Sequence, residues 1–82
     1  MYEIGRLVVK TAGRDAGRIG VIIKVIDDKY VMIDGFTRRK KVNKKHIIPL
    51  SKTIKIKEEE SREKIIEELK KVIDTDRIKI KL

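Results

Sequence analysis

Fifteen isoleucines and seven valines stand against four leucines in this chain. Side chains branched at Cβ are stiff at χ1 and suit a pleated, half-buried surface better than a helix. Through the first fifty residues they come in short runs, at 4–10, 18–26, 30–33 and 47–50, joined by a basic run at 37–42. Turn formers separate the runs, and all five glycines (Gly5, Gly13, Gly17, Gly20 and Gly35) lie in this half. The pattern predicts five strands: a loop at 11–17, a turn at 27–29, a turn at Asp34-Gly35, and one helical turn at 43–46. Asp-Gly is the strongest local turn signal in the chain, because glycine tolerates the positive φ of tight hairpins. Pro49 lacks an N–H and places the fifth strand at a sheet edge. Five short strands in about fifty residues predict a small, mainly β barrel, since closure hides unpaired strand edges.

Past residue 50 the period changes, and neither Gly nor Pro occurs again. Ile65, Ile66, Leu69, Val72 and Ile73 fall on one stripe of a helix, which predicts a helix over about 59–73. Glu58, Glu59 and Glu60 at its start and Lys70 and Lys71 at its end complement the macrodipole. On either side, residues 53–57 and 77–81 alternate apolar with basic, predicting two more strands, candidates to pair with each other. The expected organisation is a barrel over 1–50 and a strand-helix-strand extension over 51–82. The stripe must be covered and so short a helix is marginal in isolation, so it should pack on the same domain, the alternative being that it docks on a neighbouring protein.

Charge narrows the function. There are 22 Lys and Arg against 13 Asp and Glu, a formal balance of +9. Residues 1–50 hold 12 of the basic and 5 of the acidic residues, so the excess belongs to the predicted barrel. Such an excess points to a polyanion, nucleic acid above all. With no cysteine and one histidine, a disulfide, a zinc-thiolate centre and a His-rich metal site are excluded. No metal, cofactor or small-molecule substrate is expected. Asp27 and Asp28 are adjacent and point apart, as turn residues do, and no nucleophile–base pair can be assembled, so no catalysis is expected. The longest uncharged apolar run, at 19–23, is far too short to span a membrane. No secretory leader pattern opens the chain, and an intracellular protein is expected. Tyr2, Tyr30 and Phe36 are too few for the stacking platform of a single-strand binder.

Glycines 13, 17 and 20 precede an apolar strand. As a phosphate loop of a nucleotide-binding enzyme this arrangement fails: Gly17 is followed by Arg18-Ile19 rather than Lys-Ser/Thr, and no Gly-x-Gly is present. The stretch 7–25, LVVKTAGRDAGRIGVIIKV, instead resembles a KOW motif, found in ribosomal proteins and transcription elongation factors. That motif joins two strands of an SH3-like barrel through a loop, and Gly17 and Gly20 stand in its expected places. With Gly5-Arg6 ahead of it, and Asp34-Gly35, a basic segment and His46-Ile-Ile-Pro-Leu50 behind, residues 2–50 resemble the archaeal and eukaryotic family of large-subunit ribosomal proteins numbered fourteen with an e suffix. The resemblance implies an SH3-like barrel and a structural, rRNA-binding role in the large subunit of the cytoplasmic ribosome. Implied partners are large-subunit rRNA and neighbouring ribosomal proteins, with the free protein a monomer.

The residues agree with a polyanion partner. Arg38, Arg39, Lys40, Lys41, Lys44 and Lys45 place six basic residues in eight with no acid among them. Their mutual repulsion is relieved when phosphates supply the counter-charge. Arg14 and Arg18 flank the glycine turn, where guanidinium forks and backbone N–H groups can meet phosphate or a base edge. His46 is a further candidate, although packing on the following strand competes for it. The expected RNA-binding residues are therefore these nine, with Gly13, Gly17 and Gly20 shaping the loop. The alternative is a stand-alone KOW or SH3-like module of transcription or chromatin, binding protein or duplex DNA.

Overall fold

The computed structural model describes residues 1–76. Its elements are β1 (Arg6–Lys10), β2 (Ile19–Val25), β3 (Tyr30–Gly35), β4 (Lys40–Asn43), one 3-10 turn (Lys44–His46), β5 (Ile47–Thr53) and α1 (Arg62–Asp76). The five strands make one antiparallel sheet in the order β4-β3-β2-β1-β5, consistent with an SH3-like barrel. β5 is an edge, and Pro49 sits on it opposite Val8, where its missing N–H does least harm.

Two apolar clusters flank this sheet. Val8, Ile22, Val31, Ile33, Val42 and Ile47 come from all five strands and fill the inside of the curled sheet. Leu7, Ile19, Val21 and Ile23 project to the other face, where Ile54 and the α1 residues Ile65 and Leu69 cover them. Period-two alternation sends neighbours Leu7 and Val8 into different clusters. This explains the uncharged run at 19–23. A strand covered on both faces reads as continuously apolar rather than alternating.

Three expectations need correction. Asp34-Gly35 is not a hairpin turn: both residues are buried at the end of β3, paired with Val21 and Gly20 of β2. The chain reverses over 36–39 instead, so the expected strand at 37–42 begins at Lys40. Here tertiary contact overrides local turn propensity, because the buried Asp34 carboxylate pairs with Arg39 and Arg62 and Gly35 lies under the Leu69 side chain. The helix begins at Arg62 rather than 59. Ser61 caps it, its Oγ accepting from the Lys64 N–H at 3.4 Å, while Glu59 takes a positive φ of 56° in the turn before it. Residues 54–57 are not a strand; only Thr53 of the expected 53–57 segment belongs to one, β5. Ile54 still donates its N–H to the Gly5 carbonyl (2.8 Å), and Ile54 and Ile56 pack into the core beneath α1. The expected strand at 77–81 lies outside the described residues.

Candidate nucleic-acid interface

β1 and β2 hold the glycine loop from both ends. The Lys10 N–H donates to the Arg18 carbonyl (3.1 Å), and the Gly17 N–H donates to the Lys10 carbonyl (2.8 Å). Gly17 adopts φ +87°, left-handed backbone that glycine enters without strain. Inside the loop the Arg18 N–H reaches the Asp15 carbonyl at 3.0 Å. This folding leaves Arg14 and Arg18 exposed. Gly20 is buried on β2, where a Cβ would come within 2.8 Å of Thr37 Oγ1.

The two basic stretches, separate in sequence, meet in space. Asp15 Oδ2 accepts from the Arg38 N–H at 3.1 Å, tying the glycine loop to the 36–39 connection. The only acid of the loop is thereby turned onto a backbone donor, beside three exposed arginines, Arg14, Arg18 and Arg38.

Arg39 faces another way. Its Nε donates to Asp34 Oδ2 at 2.9 Å, and its Nη2 to the Glu60 carbonyl. Asp34 is fully buried and also takes Arg62 Nη1, while Gly35 N–H bonds the same Oδ1 at 2.8 Å. Arg62 also donates to the Thr37 carbonyl (3.2 Å). The guanidinium of Arg39 thus serves first to hold β3 to the start of α1.

Lys40, Lys41, Lys45 and His46 are exposed, and Lys44 is half-buried. Lys41 Nζ lies 4.4 Å from the centre of the Tyr30 ring, and Lys44 Nζ lies 5.0 Å from that of Tyr2. Asn43 caps the 3-10 turn, its side chain accepting from the Lys45 N–H at 3.0 Å, which fixes the direction of the turn's basic residues. Asp27 Oδ1 accepts the N–H groups of Lys29 and Tyr30, both at 2.8 Å, and so positions Tyr30 at the start of β3. Those two bonds hold the Asp27 carboxyl below the usual carboxylate range.

Between the end of β1, the β3–β4 edge and the 3-10 turn lies a cleft of about 280 Å³. Lys10, Lys40, Lys41 and His46 line it, with Tyr30, Val42 and Asn43 completing the wall. The cleft gathers three of the candidates read from sequence and adds two that sequence reasoning missed, Lys10 and Tyr30. The available signal for Lys10 was a lysine ending an otherwise apolar strand at the mouth of the glycine loop. Chemically the lining offers cationic and neutral donors and no carboxylate, an arrangement for receiving anions. Among the described residues no group of three His, Cys, Asp or Glu is placed to hold a metal, and no helix is long and apolar enough to cross a membrane.

The family model described as the KOW motif matches residues 4–34. Three relatives are each named large ribosomal subunit protein eL14. That of Methanococcus vannielii is 38% identical over 63 residues, spanning 77% of this chain and 82% of the relative. That of Desulfurococcus amylolyticus is 46% identical over 69 residues, spanning 78% of this chain and 72% of the relative. That of Pyrobaculum calidifontis is 41% identical over 74 residues, spanning 84% and 72%.

Proposed function

The chain belongs to the eL14 family of large ribosomal subunit proteins, and we propose that it is a structural, non-enzymatic part of that subunit which binds rRNA through its glycine loop and its 38–46 segment. The observation that carries this reading is the Asp15–Arg38 hydrogen bond. It joins two basic stretches into one face, and it spends the loop's only acid on a backbone donor. Arg14, Arg18, Arg38, Lys40, Lys41, Lys45 and His46 stand on these segments as exposed donors. Phosphate contacts from such donors position a protein on RNA without reading sequence. Lys44 and Arg39 contribute less directly, Lys44 over Tyr2 and Arg39 through Asp34.

The partners are large-subunit rRNA and neighbouring ribosomal proteins, and the place of work is the ribosome in the cytoplasm. A stand-alone module of transcription or chromatin finds no support in the relatives. The test is photo-crosslinking in intact ribosomes of the organism, followed by peptide mapping. RNA crosslinks are expected at 13–18 and 38–46. Crosslinks confined to the outer face of α1, or association with polymerase or chromatin instead of large subunits, would overturn the assignment.

A further inference from the structure

Lys10 is 6% exposed, and its Nζ donates to the Ala12 carbonyl at 2.7 Å. Among the described residues no carboxylate lies within ion-pair distance of it. A largely buried lysine whose ammonium has one neutral acceptor at the wall of a cleft is completed by an anion entering that cleft. The Lys10 ammonium lies beneath the glycine loop, since a Cβ on Gly13 would sit 3.6 Å from Nζ. It also forms part of the wall of the cleft that Lys40, Lys41 and His46 share.

We infer that this cleft seats one backbone phosphate of the RNA together with its ribose, and that Lys10 supplies the buried charge that holds it. The inference rests on the rRNA-binding reading above and sharpens it. A base is the wrong occupant. The Tyr30 ring already has the Lys41 ammonium over it, which leaves the His46 imidazole as a single ring and no pair of rings to sandwich a base, and the only aliphatic side chain there is Val42. A volume of about 280 Å³ is near the lower end of small-ligand cavities and suits a sugar-phosphate unit. The site is therefore indifferent to sequence and specific for a phosphodiester that can enter beside the glycine loop.

The test is Lys10→Met in the full chain, titrated with deproteinised large-subunit rRNA at several salt concentrations and followed in parallel by thermal melting. Methionine is close in shape and carries no charge. Affinity should fall about tenfold at low salt, and the salt slope should shrink by about one phosphate contact, roughly 0.7–0.9. The melting temperature should hold or rise, because an uncompensated buried charge has been removed. Unchanged affinity and slope overturn the inference. If Arg38→Gln with Lys45→Gln weakens binding while Lys10→Met does not, the cleft assignment fails and the rRNA-binding reading stands. If the wild type shows no salt-dependent rRNA binding, both fail. Should Lys10→Met not fold, inorganic phosphate is titrated into the wild type at fixed pH and followed by amide NMR. Saturable shifts at Gly13, Lys41 and His46 support the site, and their absence overturns it.

Discussion

The carboxylate of Asp34, buried in β3, accepts from the guanidinium of Arg62, the first residue of α1. One ion pair thus ties the sheet to the helix, and Arg39 completes it from the 36–39 side. Removing the charge strands two guanidinium groups and leaves an amide among donors. Asp34→Asn should cost on the order of 2 kcal/mol. That is less than the roughly 3–5 kcal/mol of a fully buried pair, because both arginines are partly exposed to water. Denaturant unfolding of the variant measures it, and a loss under about 0.5 kcal/mol would show the pair to be incidental.

Leu69 is fully buried between α1 and the sheet. Leu69→Ala should destabilise the free protein by about 2–5 kcal/mol, read by the same unfolding experiment. If the transition stays in place while assembly into the subunit weakens, the helix contributes at an interface and not to the fold.

Gly17 and Gly35 both have positive φ, but their surroundings differ. Gly17 faces open space, whereas a Cβ on Gly35 (φ +131°) would lie 2.6 Å from Leu69 Cδ1. Gly17→Ala should cost only the backbone term, about 1 kcal/mol, and Gly17→Val about 1–2 kcal/mol; Ala16→Ser should be mild. Gly35→Ala adds overpacking against a side chain that has nowhere to go, for a total of about 2–4 kcal/mol. A double-mutant cycle checks the cause: in the Leu69→Ala background the Gly35→Ala penalty should shrink by at least about 1 kcal/mol.

Charge position matters more than charge number. Changing Arg38, Lys40, Lys41 and Lys45 to Gln should weaken rRNA binding by about 10²-fold or more and flatten the salt slope. The same number of changes at Lys55, Lys64, Lys70 and Lys71 should have a small effect. Lys64 and Lys71 are paired with Glu67 and Glu68 along α1, at 3.0 Å for Lys64–Glu68 and 3.5 Å for Lys71–Glu67. Filter-binding titrations of both variants compare them, and equal losses would refute the placement of the RNA face.

Acid should loosen the start of β1. Arg6 Nε donates to Glu3 Oε1 at 2.6 Å, and that bond lowers the Glu3 carboxyl from 4.5 to about 2. A carboxyl held below its unfolded value stabilises the folded state fully above pH 4.5. The contribution declines below that and is gone once the pH has fallen through about 2. Glu3→Gln should therefore melt below the wild type at pH 6, and the two curves should converge near pH 2. A constant difference across that range would assign the effect to something other than this ionisation.

The strands were largely legible because burial writes itself into the order of Ile, Val and Gly, and the pairing of Pro49 with a sheet edge follows from a missing donor. Asp34-Gly35 was not legible: its local chemistry says turn, while its partners, Arg39, Arg62 and Leu69, lie 5 to 35 positions away. The helix start is not marked by the acidic run Glu58–Glu60, because the cap is Ser61, one residue beyond it. At the site, the basic residues were visible as a cluster, but neither the bond from Asp15 to Arg38 nor the burial of Lys10 has any local signature. Both depend on how the sheet curls.

β2 is covered on one face by the barrel interior and on the other by α1. In the plane of the sheet its centre is paired on both sides, Gly20 and Val21 lying opposite β1 and β3 alike. The slowest hydrogen-exchanging amides of the described residues should accordingly lie among Gly20, Val21 and Ile22, with protection approaching the global unfolding free energy. The two cores share one wall, so loss of either uncovers the other, and barrel and helix should unfold as a single cooperative unit.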